Sequence, residues 1–217
     1  MPKWVKLVIG ILLLPVCLGA AQALWRVLQA SGWAGQFWVA AGAGAACWAA
    51  IYLMLPKPMW VYVFGHELTH ALWTWLFGGE VKKFKATSRG GHVVVSKNNF
   101  LISLAPYFFP VYAALIVALF WIGNLIWDWG RLLVWFHLLL GAAYAFHATL
   151  TWHILKTDQS DITQHGYLFS AVVIILGNTL VLLFGIPFLT GRIGVLKAAG
   201  WWLEGTGSVL KVVGRQL

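Results

Sequence analysis

Six apolar runs limit what this chain can become. They are Leu7 to Trp25, Phe37 to Leu55, Trp60 to Phe77, Phe100 to Ile126, Arg131 to Ile154 and Tyr167 to Leu189. A bilayer core about 30 Å thick is crossed by a helix of about 20 apolar residues, and each run approaches or exceeds that length. Only helices or closed barrels satisfy their backbone polar groups in lipid, and runs this long without alternation select helices. With 61% hydrophobic and 10% charged residues, the chain reads as an all-α polytopic membrane protein of about six transmembrane helices. Residues 1–217 form a single integral membrane domain, multi-pass in the cell membrane. Residues 1–59 carry two peripheral spans, 60–189 the core, and 190–217 a tail expected to lie on the membrane surface.

The net charge of +9 does not indicate a nucleic-acid partner. The 15 basic residues sit mainly at the ends of apolar runs, where they meet lipid headgroups, and many of the 15 Trp do the same. Eight basic residues would fall on one side of a six-span bundle and seven on the other, so the positive-inside rule gives no orientation. Ala21-Gln22-Ala23 resembles a signal-peptide cleavage site, but the run before it is long for that role and is read as a retained helix. Phe37 to Leu55 is rich in Gly and Ala, which let helix backbones approach closely. Pro106 and Pro110 are expected to kink the fourth run or delay its regular part. Arg26 to Gln36 is expected to be a link.

The third run carries the chemistry: His66-Glu67-Leu68-Thr69-His70. On a helix, residues four apart lie one turn apart on one face, so the two imidazoles can grip one zinc ion. Glu67 between them can act as the base for a zinc-activated water. Three ionisable groups in an apolar run are costly in lipid without a purpose. Gly78-Gly79 ends this helix as a C-cap pair would. The following polar stretch reads as a β-hairpin, with arms Val81 to Thr87 and His92 to Ser96 about a Gly90-Gly91 turn.

Two histidines leave a catalytic zinc short of a ligand. Glu80 lies at the far end of the same helix and Glu204 in a glycine-rich tail, so both are poor candidates. Asp158 and Asp161 remain, the acids near the start of the sixth run. Asp161 is closer to that helix, where a carboxylate can face the bundle interior; Asp158 is the alternative metal ligand. Asp161 followed by Gln164 also resembles a capping box. His137, His147, His153 and His165 read as packing or surface residues.

Taken together, these features resemble the site-2 protease superfamily of intramembrane zinc metalloproteases, its short members in particular. The resemblance rests on His66-Glu67-x-x-His70 in a membrane helix, Gly78-Gly79-Glu80-Val81 leading into a basic hairpin with Gly90-Gly91, Leu101 to Pro106 opening the next span, and an Asp two spans later. It covers roughly Trp60 to Leu189. It implies His66, His70 and a later Asp as Zn2+ ligands and Glu67 as the base. It also implies a hairpin that holds substrate as an added strand, here along His92, Val93, Val94 and Val95. Where that family has an Asn-Pro-rich run ending in Leu-Asp-Gly, this chain has Gln159-Ser160-Asp161-Ile162.

The expected function is therefore an intramembrane zinc metalloprotease that hydrolyses peptide bonds of membrane-embedded or membrane-adjacent polypeptides. The rivals are a non-catalytic membrane scaffold that binds client helices, and a metal transporter. An intact Glu67 argues against the scaffold, and the scarcity of acids in the spans argues against the transporter.

Overall fold

A computed structural model describes residues 2–216. It places helices at Lys3–Ser31 (α1), Gly35–Met54 (α2) and Met59–Leu76 (α3), then strands Val81–Thr87 (β1) and Gly90–Val95 (β2). Helices follow at Phe100–Leu104 (α4), Val111–Trp127 (α5), Leu133–Ile154 (α6), Ser160–Thr163 (α7), Tyr167–Thr190 (α8) and Val195–Gly214 (α9). Two short 3-10 turns, Ala105–Tyr107 and Trp129–Leu132, precede α5 and α6. The chain groups into two compact units. One holds the residues up to Ala34 together with those from Ser160 on; the other is Gly35–Gln159. The core expected over residues 60–189 is thus divided between them.

Six spans were expected. Among the described residues, four helices are long and apolar enough to cross a membrane: α1, α2, the stretch containing α6, and α8. A fifth is gained if Phe100–Tyr107 and Val111–Trp127 count as one span, although they meet at 83°. The expected proline kink is thus a sharp corner. Neither Pro106 nor Pro110 can donate a helical hydrogen bond, and the two flank the break. The histidine helix α3 is not among these helices. It is 18 residues long, and His66, Glu67, Thr69, His70 and Thr74 lower its mean hydropathy.

In the first unit, α1 packs against both α8 and α9. The expected link from Arg26 is helical up to Ser31, since no breaker occurs before Gly32. A methyl group on Gly19 would lie 2.7 Å from Thr206 Cα, and one on Gly205 would lie 2.9 Å from the Gly19 carbonyl oxygen. Small residues at this crossing therefore let two backbones touch. Trp202 Nε1 donates to the Val16 carbonyl at 3.1 Å, and an exposed Arg26–Glu204 ion pair adds a contact at 3.0 Å. Glycines lower helix propensity in the tail, yet Gly205 is what the packing of α9 needs.

In the second unit, α2 and α6 pair along their length. A methyl group on Gly44 would come 2.8 Å from the Leu138 carbonyl carbon, and one on Gly141 2.7 Å from Ala41 Cα. The Gly/Ala content of α2 is thus spent on close approach to α6. Trp48, Tyr62, Val63 and Leu150 form a buried cluster that ties α3 to this pair, and Trp48 Nε1 donates to Thr149 Oγ1 at 2.8 Å.

Strands β1 and β2 form an antiparallel hairpin with Phe84 opposite Val93 and Lys85 opposite His92. The turn differs from the expected one. Thr87 pairs with Gly90, so Ser88-Arg89 make the bend and both glycines belong to β2. The Thr87 hydroxyl closes the turn by donating to the Gly90 carbonyl at 2.6 Å.

Candidate metal centre

His66 and His70 face the same way on α3, with ring centroids 4.9 Å apart at 78°. His70 and Glu67 are buried and His66 is half-buried. The His70 ring is fixed from behind: its Nδ1 lies 2.8 Å from the Ile102 carbonyl. As the protonated nitrogen, Nδ1 donates there, which leaves Nε2 as the lone-pair nitrogen for a metal. Ile102 is held by its own cap, since its N–H donates to Asn99 Oδ1 at 2.9 Å at the start of α4. The Thr69 hydroxyl donates to the Gly65 carbonyl, and that of Thr74 to the His70 carbonyl, both at 2.8 Å. These polar residues of α3 therefore satisfy themselves within the helix. At its C-terminus, Gly78 takes the left-handed conformation (φ +67°) and the Gly79 N–H donates to the Thr74 carbonyl at 2.8 Å.

The hairpin sits on the glutamate. A methyl group on Gly91 would lie 2.7 Å from Glu67 Cγ and 2.9 Å from Glu67 Oε1. Phe84 of β1 meets Phe64 of α3 edge to face, centroids 5.6 Å apart. The same methyl group would lie 2.6 Å from the Lys85 carbonyl oxygen, so glycine at position 91 serves both the hairpin and its seat on Glu67. Of the residues expected to receive substrate, His92 and Val94 are exposed, and Val93 and Val95 are half-buried.

The candidate third ligands fall differently. Asp158 is exposed in the link after α6. Asp161 is half-buried in the single turn of α7, just before α8. His66 and His70 of the second unit and Asp161 of the first offer two imidazole nitrogens and a carboxylate oxygen. Two histidines and a carboxylate are a known zinc ligand set, so the residues fit that metal. Tyr107 packs edge-on to His66, centroids 5.3 Å apart, and its hydroxyl donates to Gln159 Oε1 at 3.3 Å. Gln159 ends the second unit, and Asp161 follows two residues later.

Near Asp161 in the first unit, the Lys6 ammonium donates to His165 Nδ1 at 2.5 Å. Burial holds the His165 pKa below its ordinary value, the Lys6 charge lowers it further, and Asp161 opposes both.

Two parts of this site escape the sequence reading: Gly91 reads as a turn residue, and the Ile102 carbonyl has no side-chain signature. His147 lines a cavity with His66. Comparison with protein-family models, with curated proteins and with solved structures finds no match.

Proposed function

We propose that this chain is an intramembrane zinc metalloprotease, cutting peptide bonds of polypeptides within or beside the bilayer. The observation that carries the reading is the His66–His70 pair, with His70 oriented by the Ile102 carbonyl and Glu67 beside it under Gly91. A purely structural patch of three ionisable residues would not need an oriented ring or a glycine cut to fit the acid. Asp161 is the third ligand in this reading. Its support is the donor chemistry and the tether through Gln159 to Tyr107, which packs on His66. The half-buried setting of Asp161 and the exposure of Asp158 favour the former.

A bound zinc supplies Lewis acidity, polarising a scissile carbonyl and lowering the pKa of water toward about 7. Glu67 accepts the proton of the attacking water and returns it to the leaving amine. Substrate must be extended to expose its peptide bond, and a strand laid along His92 to Val95 would be held in that state by backbone hydrogen bonds. Helix α3 is the sixth membrane span in this reading, its polar residues turned inward.

The test is metal content and cleavage by purified, reconstituted protein, wild type beside His66→Ala. The expected result is one zinc and cleavage in the wild type, with both lost in the variant. Zinc without cleavage of any membrane polypeptide would leave the scaffold, and zinc flux into sealed vesicles would favour the transporter.

A further inference from the structure

We propose that His147 of α6 supplies the hydrogen bond that holds the reacting oxygen in the cavity beside His66; this rests on the hydrolase reading above. The cavity lies within the second unit, between α3, the corner at Pro106, α5 and α6. At about 10 Å3 it has room for the centre of one water. Most polar groups on its wall are engaged. The Tyr112 hydroxyl donates to the Val61 carbonyl at 2.5 Å, that of Thr69 to the Gly65 carbonyl at 2.8 Å, and that of Tyr62 to Thr151 Oγ1 at 3.4 Å. His147 differs. It is 7% exposed, and its buried Nε2 reaches no hydrogen-bond partner among the described residues.

A buried ring nitrogen without a partner is costly, and such groups persist where a ligand or water completes them. Phe109, Val111 and Phe146 make the remaining surroundings apolar, so the occupant is small and is bound by His147. In this proposal His147 has a hydrogen-bonding role beside the ligands His66 and His70, not a place among them. The occupant that fits is an oxygen: water at rest, and the carbonyl oxygen of the scissile bond during turnover. Attack of water on the carbonyl carbon moves the C=O π pair onto that oxygen while Glu67 takes the water's proton. His147 Nε2–H donates to the oxyanion and keeps its own proton. Collapse re-forms C=O, breaks the C–N bond, and the amine leaves with the proton from Glu67. A donor fixed in a dry site is worth most when charge develops.

The experiment uses the full chain in lipid, loaded with Co2+, with acetohydroxamate as an oxygen-bearing probe titrated by visible absorption. His147→Phe and His147→Leu remove the donor, and His147→Gln keeps an N–H. Cobalt stoichiometry and thermal midpoint are measured beside each titration. Variants without the donor are expected to keep one cobalt and bind acetohydroxamate about 10-fold more weakly, with His147→Gln close to wild type. Wild-type affinity in His147→Phe or His147→Leu overturns the proposal and leaves the metal reading intact. Loss of cobalt in them makes His147 a ligand and also overturns it. If both unfold, a folded His147→Gln that has lost the probe overturns it, and one that retains it supports it. A wild type that takes no cobalt removes the metal reading, and this inference with it.

Discussion

Glu67 adjoins His66 in sequence but points elsewhere on α3, toward Gly91 of the hairpin. In the proposed function its role is in chemistry, and the histidines are the metal ligands. Glu67→Gln is expected to keep zinc and fold while cleavage falls by about 100-fold or more, the scale of a lost general base; metal analysis beside a cleavage assay checks it. Gly91→Ala tests the same acid from the other side. The added methyl group meets Glu67 at 2.7 Å, so the hairpin or the carboxylate must shift. Cleavage should fall with zinc unchanged. Asp161→Asn should strip the metal while Asp158→Asn keeps it, read as zinc per protein by elemental analysis. His165 gives a pH dependence whose sign follows from its surroundings. Burial and Lys6 lower its pKa in the folded chain, so the unfolded chain binds more protons below the ordinary value of 6.5. Its contribution to stability is complete above about pH 6.5 and is lost as pH falls toward the lower folded value. Thermal midpoints between pH 7.5 and 5 should show this drop, and His165→Asn should flatten it.

At the scale of elements, close helix contacts do the structural work. A β-branched side chain at Gly44 has no space against Leu138, so Gly44→Val should destabilise the α2–α6 pair by about 1–3 kcal/mol, measurable by denaturant unfolding in micelles. Gly42, where an added methyl group would meet no described atom within 4 Å, should accept Ala without loss. This contrast shows what the sequence made legible. Its Gly/Ala content announced a packing helix, because small residues in an apolar run have few other uses. It did not tell Gly44 from Gly42, because that depends on which face α6 covers. The hairpin was legible from its β-branched arms, and its register was not. Two adjacent glycines suit a turn, and only the pairing with Ala86 and Thr87 places them in a strand. His66 and His70 were legible because a local helical period brings them to one face, and Glu67 because it stands between them in the motif. The Ile102 carbonyl and His147 were not, since long-range packing sets both.

For the whole molecule, the open question is the number of crossings, and α3 decides it. Its hydropathy falls short because of its polar residues, yet Glu67, Thr69, His70 and Thr74 are all buried. A span is judged by what it shows to lipid, and groups satisfied inside a bundle cost far less than the same groups on a lone helix. The exposed residues of α3 are Trp60, Phe64, Leu72, Trp75, Leu76 and Phe77 at its end, all apolar or interfacial. With α3 a span, as proposed above, α1, α2, α3, the bent α4–α5 pair, α6 and α8 would make six crossings. An even number returns the chain to the side on which it started. A cysteine at Lys3, before the first crossing, and one at Arg192, after α8, should therefore react with an impermeant maleimide from the same side of sealed membranes. The background is a chain in which Cys17 and Cys47 are replaced by Ala. Labelling from opposite sides would give an odd count and overturn the six crossings, with either α3 or the bent α4–α5 pair not a span.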